Sequence, residues 1–394
     1  MAKVVIIASF AESLIRFRGD LIQEMVKNNH EVIACAPDAD KRTLSSLKTL
    51  GVNYHNIQLN RTTFNIKSEF CLVLNLINLL RKFKPDVVLT YTIKPNIFGS
   101  LASIISGVPR IGVMVTGLGH PFSEEAGNLT RKIATILYKM SITKRHVIFF
   151  QNPDDIKLFI ENKIIKENTE KILINGSGVC LTKFSSNEPP QSPSFLLIAR
   201  LIKEKGIIEF VNAAKIVKKK YPNVKFRLVG SCHDDKYHIT KDELDGWIKD
   251  DLIEYHGYLN DVRKVIESSS VYVLPSFYRE GVPRSILEAM AMARPIITTD
   301  SPGCRETVVH GLNGLLVPPR DAEALAGAME QLIENPSLIK KMGLASRAIA
   351  EEKYDVKKVN RVILENLGLL PDGDAGLTIK HRFPWKGGEP EFNR

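Results

Sequence analysis

The sequence predicts an α/β protein with two doubly wound, Rossmann-like domains that face each other across a cleft. Short runs of Val, Ile, Leu and Phe alternate with longer amphipathic stretches through most of the chain, which is the pattern of βαβ units around a parallel sheet. A polar segment without periodicity, SSNEPPQSPS at residues 185–194, interrupts the alternation, which then starts again. The length of 394 residues also suits two domains of ~100–200 residues each.

The predicted strands are short runs rich in β-branched and aromatic side chains. In the first half of the chain they occupy residues 3–9, 31–35, 54–59, 86–90, 110–115 and 146–150. In the second half they occupy residues 194–198, 225–229, 253–256, 271–274 and 296–299. Because predicted helices separate these strands, parallel pairing with right-handed crossovers is expected.

The predicted helices carry apolar residues at helical spacing. They occupy residues 17–29, 41–50, 68–83, 96–106, 130–142, 205–219, 240–249, 260–268, 284–293 and most of 321–368. The whole pattern predicts an N-terminal domain over residues 1–187, a second domain over 188–350, and a C-terminal helix at 351–371 that packs back on the first domain. Residues 372–394 are rich in Gly, Pro and charge and are expected to be an unstructured or non-native tail.

Basic residues are concentrated in the first part of the chain. Residues 1–150 contain 19 Lys and Arg against 10 Asp and Glu, whereas the remaining 244 residues contain 35 against 34. This asymmetry favours an anionic partner for the first domain, either nucleic acid, an anionic membrane or a phosphorylated substrate. The alternative is a basic surface that only maintains solubility. Nucleic acid is disfavoured, because only 7% of the residues are aromatic and no recognition motif is present.

The turn after the first predicted strand lacks the glycine motif of the dinucleotide-binding enzymes that often have this fold. A dinucleotide site needs G-x-G-x-x-G there, so that a diphosphate can touch bare backbone, but the turn reads SFAES and the next glycine is Gly19. No GxxxxGK[ST] phosphate loop occurs either. The five cysteines are widely spaced without a CxxC pair, so reduced thiols are expected. The sequence therefore disfavours an NAD or FAD dehydrogenase, an ATPase and a zinc or disulfide framework.

A strand–loop–helix segment at residues 274–295, LPSFYREGVPRSILEAMAMARP, is the strongest candidate site. The helix that opens near Arg284 presents free N–H groups and the positive end of its dipole, which together bind anions. Glu280 lies in the loop and Glu288 about one turn into the helix, and carboxylates in such places suit sugar hydroxyls. The alternative is a surface salt bridge between Arg284 and Glu288, which would be worth little.

A second segment, FLLIARLIKEKG at residues 195–206, places two cations at the end of a strand. Arg200 ends the strand and Lys205 opens the following helix. Together the two charges can neutralise a diphosphate leaving group in place of a divalent metal. The alternative is an ordinary basic loop.

These segments resemble the family-4 retaining glycosyltransferases, which have the GT-B fold. The resemblance rests on Arg200, on Lys205 with its following glycine, on the Glu280-x7-Glu288 spacing, and on PGCRE at 302–306 and NGLLVP at 313–318. In the first half, YTIKPNIFGSLA at 91–102, TGLGH at 116–120 and INGSGV at 174–179 resemble the bacterial subgroup that extends polyprenyl-diphosphate-linked saccharides. The resemblance covers residues 1–368 and implies an enzyme of bacterial surface-glycan or glycoprotein-glycan assembly.

The resemblance implies a donor site in the second domain, with a UDP-HexNAc as the favoured donor. Arg200 and Lys205 would hold the diphosphate while the glycosidic bond breaks, and they would act in catalysis with Glu280, which binds a sugar hydroxyl. Glu288 would bind the ribose. Further donor contacts would come from Gly281, Val282, Pro283, Arg284, Ser285 and Gly230. The implied transfer retains the anomeric configuration and uses no metal or other cofactor.

The first domain is expected to bind the acceptor, a polyprenyl-diphosphate-linked saccharide. The cations expected to reach the cleft and hold its diphosphate are Arg16, Arg18 and Lys94. Thr116, Gly117 and His120 join them because TGLGH belongs to the resemblance, although many family members carry His where this chain has Thr116.

The expected location is cytoplasmic, peripheral on the inner face of the plasma membrane. The basic excess of the first domain suits an anionic leaflet. Two helices, at residues 64–84 and 129–145, also combine apolar with basic side chains, as interfacial helices do. For the first of these, a core helix explains the pattern equally well.

Two other functions are consistent with the same residues. One is another enzyme of the same fold, either a UDP-sugar 2-epimerase or a glycan synthase with a soluble acceptor. The other is a non-catalytic subunit that binds a sugar nucleotide. Such a subunit would have no need to keep Arg200, Lys205, Glu280 and Glu288 together.

Overall fold

The computed structural model describes residues 1–60, 64–122, 127–232 and 238–370. By their internal contacts, these residues divide into two units. The first unit comprises residues 1–116, 127–174 and 360–370, and the second comprises residues 117–122 and 175–359.

The first unit is built on a seven-stranded parallel sheet with the strand order β3-β2-β1-β4-β5-β6-β7. Its strands are β1 (Lys3–Ile7), β2 (Glu31–Ala36), β3 (Asn53–Asn56), β4 (Val87–Tyr91), β5 (Arg110–Val115), β6 (His146–Phe150) and β7 (Lys171–Leu173). Its helices are α1 (Glu12–Arg16), α2 (Gly19–Lys27), α3 (Lys41–Thr49), α4 (Ile66–Phe83), α5 (Ser100–Ile105), α6 (Asn128–Ser141) and α7 (Pro153–Glu161). A π-helical turn, Pro95–Gly99, precedes α5.

The second unit is built on a six-stranded parallel sheet with the order β10-β9-β8-β11-β12-β13. Its strands are β8 (Ser194–Ile198), β9 (Lys225–Val229), β10 (Glu254–Tyr255), β11 (Val271–Leu274), β12 (Ile296–Thr299) and β13 (Gly314–Val317). Its helices are α8 (Ile207–Lys220), α9 (Lys241–Lys249), α10 (Arg263–Glu267), α11 (Arg284–Ala291), α12 (Ala322–Glu334) and α13 (Pro336–Lys353). A last helix, α14 (Val356–Leu367), runs from the second unit into the first.

The predicted elements are largely confirmed. β5, β6, β8, β9, β11 and β12 have the predicted bounds, and the helical region after residue 321 consists of α12, α13 and α14. The prediction missed α1, α7, β7 and β13. The two missed strands are edge strands of three and four residues, too short to display a recognisable alternation.

The boundary between the units lies earlier than the polar segment at residues 185–194. The stretch of the first unit that precedes this segment ends at Ile174, and residues 175–359 belong to the second unit, so the polar segment lies within the second unit. The buried guanidinium of Arg294 holds it there by donating to the backbone and side-chain oxygens of Asn187, at 2.9 and 2.6 Å. The Pro- and Ser-rich segment is therefore an irregular stretch of the second unit and not the linker between the two units.

The chain returns to the first unit at its described C-terminal end. Arg110 donates through Nε to the carbonyl of Asn366 at 3.0 Å, and a His30 ring nitrogen lies 2.8 Å from the carbonyl of Leu369. Gly112 leaves the space that Leu367 needs, because a Cβ at Gly112 would lie 2.8 Å from its Cδ2. These contacts pack the end of α14 against the sheet of the first unit.

Candidate active site

The candidate donor site lies where the strand order of the second sheet reverses. β8 and β11 are neighbours at this point, and their following helices are α8 and α11. Parallel α/β sheets bind ligands at the carboxyl ends of such strands. Arg200 follows β8, and the loop that carries Glu280 follows β11, so the two segments singled out in the sequence meet at one edge of one sheet.

Backbone contacts clamp these two loops together. The carbonyl of Glu204 accepts from the backbone N–H groups of Phe277 and Tyr278, at 2.9 and 3.0 Å. Gly206 has a φ of +75°, and a Cβ there would lie 2.1 Å from the carbonyl oxygen of Pro275. Only glycine tolerates both the conformation and this approach. The Lys205-Gly206 pair is therefore required to bring the lysine against the β11 loop.

Lys205 and Glu280 form an ion pair between their side chains. These side chains are only 11% and 13% exposed, so the pair is largely shielded from water. Burial and then the positive charge of Arg200 lower the pKa of the Lys205 ammonium to about 7. The adjacent carboxylate of Glu280 favours the charged form, so the ammonium and the carboxylate oppose the effect of burial together.

Glu288 is also paired. Arg284 Nε donates to Glu288 Oε1 at 3.0 Å, one turn along α11, with side chains 13% and 16% exposed. The alternative considered for the sequence, a surface salt bridge, is thus correct about the pairing and wrong about the exposure. Another polar atom of this arginine, Nη1, is buried without a hydrogen-bond partner among the described residues. A buried and incompletely bonded cation beside a carboxylate is a feature of binding sites rather than of solvated surfaces.

Two glycines lie against the backbone that joins Glu280 to Gly281. Gly303 has a φ of +84°, and a Cβ there would lie 1.8 Å from the Gly281 carbonyl oxygen. Gly117 has a φ of +100°, and a Cβ there would lie 2.6 Å from the Gly281 nitrogen. The PGCRE and TGLGH motifs therefore each supply a glycine that this loop needs for close packing.

The placement of Gly117 corrects its predicted surroundings. The sequence assigned it to the acceptor side of the first domain, but the structure groups it with the second unit, against the donor loop. Thr116, the preceding residue, belongs to the first unit. His120 begins a short helical turn, His120–Phe122, and its side chain lies outside what the structure describes.

Gly230 lies at the carboxyl end of β9, directly beside the start of the Arg200 loop. Its N–H donates to the carbonyl of Gly257 at 2.9 Å, and its own carbonyl accepts from the Tyr255 hydroxyl at 2.8 Å. A Cβ at Gly230 would lie 1.9 Å from the Ala199 carbonyl oxygen. This glycine therefore lets the turns after β8 and β9 approach each other.

The candidate acceptor cations in the first unit do not form one exposed group. Arg18 is 2% exposed, and its guanidinium lies 5.2 Å from the ring centroid of Tyr91. Lys94 pairs with the buried carboxylate of Glu69 and donates to the Asn60 carbonyl at 2.6 Å. Arg16 is 46% exposed and lies 3.7 Å from Glu12. The expectation that all three side chains are exposed to an acceptor is therefore wrong for Arg18, because its side chain is buried against the Tyr91 ring.

Two polar residues that were not predicted from the sequence, Ser9 and Thr92, contact each other at the carboxyl ends of neighbouring strands in the first unit's sheet. Thr92, which follows β4, donates through Oγ1 to the hydroxyl of Ser9, which follows β1, at 2.8 Å. β1 and β4 are the neighbours at which the strand order of the first sheet reverses. Thr92 also has a φ of +69°, which is rare for a β-branched residue. The sequence offered one signal for these residues: both lie at the carboxyl ends of predicted strands, where parallel sheets bind ligands.

Two helices of the first unit expose apolar side chains. On α6, Leu129, Ile133, Ile136 and Met140 are 72%, 38%, 56% and 62% exposed. On α4, the exposed side chains are those of Ile66, Phe70 and Leu74, at 77%, 63% and 45%. A groove along α6 is lined by Arg131, Lys132 and Lys139. In the parts of the chain that the structure describes, no helix is both long and apolar enough to cross a bilayer.

Two family models match separate halves of the chain. The family described as "Glycosyl transferase 4-like" matches residues 5–152, and the family described as "Glycosyl transferases group 1" matches residues 192–335. The second match contains every donor-site residue described above except Gly117.

Curated relatives resemble the chain over most of its length. An N,N'-diacetylbacillosaminyl-diphospho-undecaprenol alpha-1,3-N-acetylgalactosaminyltransferase of Campylobacter jejuni is 28% identical over 87% of this chain and 92% of its own. A UDP-Gal:alpha-D-GlcNAc-diphosphoundecaprenol alpha-1,3-galactosyltransferase of Escherichia coli is 27% identical over 68% of this chain and 71% of its own.

Solved structures share the fold. Anabaena HepE, in complex with UDP and glucose, superimposes with a TM-score of 0.77 at 18% identity, covering 94% of this chain and all of its own. The sucrose-phosphate synthase of Thermosynechococcus elongatus gives a TM-score of 0.74 at 16% identity, covering 92% and 98%. The predicted fold class, two doubly wound parallel-sheet domains of the GT-B kind, is confirmed.

Proposed function

We propose that the chain is a glycosyltransferase of the kind described by the two family models that match it, and that it moves a sugar from a UDP-sugar onto a polyprenyl-diphosphate-linked saccharide in bacterial glycan assembly. The single observation that supports this most is the donor-side cluster in the second unit. There Lys205 pairs with Glu280, just before the helix that carries Glu288, and the positive charge of Arg200 acts on Lys205. Two cations and two carboxylates on these neighbouring segments match the two halves of a sugar nucleotide, its diphosphate and its hydroxyls.

In the proposed mechanism, Arg200 and Lys205 stabilise the charge that develops on the leaving diphosphate. The acceptor hydroxyl attacks the anomeric carbon from the face that UDP leaves. The bond between the anomeric carbon and the phosphate oxygen of UDP breaks, and the hydroxyl proton passes to that oxygen. Glu280 holds a sugar hydroxyl, and Glu288 holds the ribose. Configuration is retained, and the two side-chain cations make a divalent metal or other cofactor unnecessary.

The acceptor and donor classes are proposed from the relatives' names. Both relatives are named as transferring a sugar, in an alpha-1,3 linkage, to a sugar carried on diphosphoundecaprenol. Nucleotide donors of these sugars are α-linked, so an α-linked product supports retention. One relative is named for N-acetylgalactosamine and the other for galactose. We favour a UDP-HexNAc because the Campylobacter relative matches a larger share of this chain.

We place the enzyme on the inner face of the plasma membrane, with its first unit against anionic lipid. The support is the excess of nine positive charges in residues 1–150, together with the exposed apolar side chains and basic groove of α6. Such a surface binds anionic membranes through apolar contact and charge together.

Purified protein incubated with a panel of UDP-sugars and undecaprenyl-diphosphate-linked monosaccharides tests the proposal. We expect one donor to yield an elongated α-linked product, identified by mass spectrometry and NMR, at a rate that EDTA does not change. Lys205→Ala should lower kcat by ~10²–10³, like the loss of one preorganised electrostatic donor. An epimerised sugar from the donor alone would favour the epimerase instead, and a rate restored by Mg²⁺ after EDTA would overturn the metal-free mechanism.

A further inference from the structure

The donor site holds two like charges close together before any diphosphate arrives. Arg200 lies near enough to Lys205 to lower the pKa of that ammonium, and Lys205 is also removed from water. Charged and polar groups that face the ammonium include Arg200, Glu204, Glu280 and Cys304. Bringing two cations together without an anion is unfavourable, so other groups must hold them in place.

Glu280 cannot do this throughout the reaction. In the structure its carboxylate pairs with Lys205, but in the proposed function that carboxylate binds a hydroxyl of the donor sugar. The cations must nevertheless stay aimed at the diphosphate while the bond to the sugar breaks. A group that stays in contact with both cations when the donor enters is therefore needed.

The ring of Tyr278 lies within the range of a cation–π interaction with both cations. Its centroid lies 5.1 Å from Lys205 Nζ and 5.9 Å from Arg200 Cζ, within the distance of about 6 Å at which an aromatic ring attracts a cation. The backbone of Tyr278 is tied to the loop that carries Lys205, because the N–H of Tyr278 donates to the carbonyl of Glu204, the residue before Lys205. The ring and the lysine are therefore presented from two backbone segments that are bonded to each other.

We propose that Tyr278 is a positioning residue, whose ring holds Arg200 and Lys205 side by side and directs both toward the donor diphosphate. The inference rests on the proposed function for the identity of the ligand. It goes beyond that function because neither the motif residues nor the carboxylates account for this ring. The face of an aromatic ring attracts cations without neutralising them, so they remain available to the phosphates.

The first test titrates Lys205 in the absence of any ligand, by NMR of protein carrying ¹³C-labelled lysine. Its Cε resonance is identified as the one lost in Lys205→Arg. Tyr278→Leu removes the ring, and we expect it to lower the titration midpoint of Lys205 by about half to one pH unit. Tyr278→Phe should restore the midpoint. Phe277→Leu is the matched control, because that neighbouring ring faces Arg320 at 4.4 Å instead, and it should leave the midpoint where it is.

The second test measures UDP affinity by calorimetry on the same variants. Tyr278→Leu should bind UDP about tenfold more weakly, and Tyr278→Phe should recover most of that loss. If Tyr278→Leu does not fold, Tyr278→Met supplies similar volume without a ring. An unmoved Lys205 midpoint in the ringless variant would overturn the proposal, and so would a Tyr278→Phe variant as impaired as Tyr278→Leu, since the hydroxyl would then carry the effect.

These outcomes are separable from a failure of the proposed function. If Lys205→Ala binds UDP as well as the unchanged protein does, the donor site has been assigned wrongly. The ligand-free titration still decides whether the Tyr278 ring acts on Lys205.

Discussion

Lys205 and Glu280 form an ion pair at the junction of the loops that follow β8 and β11, so the two side chains neutralise each other. Both partners are proposed to contact the donor. Binding must therefore exchange an internal ion pair for contacts to the diphosphate and the sugar. This exchange leads to a prediction about protons.

Donor binding should take up a proton above pH 7. The pKa of Lys205 is lowered to about 7 in the structure, first by burial and then by Arg200, whereas a bound diphosphate would favour the ammonium and raise this pKa. Between the two values the complex holds more protons than the free protein, so affinity falls as pH rises, by up to about tenfold per unit. Below about pH 6 the lysine is protonated in both states, and this dependence disappears.

Calorimetry in buffers of different ionisation enthalpy measures the uptake directly. An intact UDP-sugar is the right probe, because its diphosphate diester does not titrate near neutral pH. Lys205→Arg is the control, since a guanidinium stays charged throughout, and its uptake should vanish. Equal heats in all buffers for the unchanged protein at pH 8 would contradict the prediction.

Replacing Gly206 should damage both stability and donor binding. Gly206→Ala puts a Cβ 2.1 Å from the Pro275 carbonyl oxygen at a φ of +75°, so the two loops have to separate. Strain of this kind costs ~1–3 kcal/mol for the backbone conformation alone, and separation of the loops moves Lys205 away from Glu280. Thermal unfolding and UDP calorimetry should both record the loss.

Gly246→Ala is the matched control for that substitution. Gly246 lies inside α9, and a Cβ there meets no atom within 4 Å. Alanine in a helix interior is favoured over glycine by roughly 0.5–1 kcal/mol, so this variant should be slightly more stable and bind UDP normally. A Gly206→Ala protein with unchanged melting and unchanged UDP affinity would mean that the loops do not need this contact.

The exposed face of α6 should decide membrane binding. Ile136→Glu places a charge in the apolar stripe at a position that is 56% exposed, so the fold should tolerate it while binding to anionic vesicles falls. Loss of Lys132 and Lys139 together should cost ~2 kcal/mol of binding, about 1 kcal/mol for each basic residue. Leu344→Glu is the control, because Leu344 is 59% exposed on α13 of the second unit.

Vesicle sedimentation at two salt concentrations separates the charge contribution. The Debye length shrinks from ~10 Å at 0.1 M to ~3 Å at 1 M, so binding to anionic vesicles should fall steeply with salt while binding to neutral vesicles stays weak. Equal binding to neutral and anionic vesicles would remove the electrostatic argument. A loss with Leu344→Glu as large as that with Ile136→Glu would show that α6 is not the contact surface.

The sequence predicted the strand-end motifs of the donor site because their chemistry is local. Arg200 and Glu280 each follow an apolar strand, and the position of a strand end in a parallel sheet follows from topology alone. The partner of each charge was beyond sequence reasoning, since the pairing of Lys205 with Glu280 depends on how two distant loops pack. The proximity of the Tyr278 ring to Lys205 also depends on this packing, so it could not be predicted from the sequence.

The site residues of the first unit were harder to predict, because the sequence does not distinguish a buried cation from an exposed one. Arg18 and Lys94 both follow strands, yet the first is covered against Tyr91 and the second is held by Glu69. Burial of a charged side chain needs a partner that periodicity does not identify.

The two glutamates should separate in role. Glu288 is proposed to bind the ribose, which does not react. Glu288→Gln should therefore weaken the binding of the donor and of free UDP alike. A hydrogen bond to a charged group is worth ~1.5–3 kcal/mol, which corresponds to a rise of about 10–100-fold in donor KM.

Glu280 is proposed to touch the sugar, near the carbon that gains positive charge in the transition state. Glu280→Gln should therefore lower kcat more than it raises KM, and it should leave UDP affinity nearly intact, because UDP lacks the sugar. Removing this carboxylate also frees Lys205 from its ion pair, which works against any loss of UDP binding. Steady-state rates and UDP calorimetry on both variants decide the matter. Normal UDP affinity in Glu288→Gln together with normal turnover in Glu280→Gln would mean that neither carboxylate contacts the donor and that both pairs are structural.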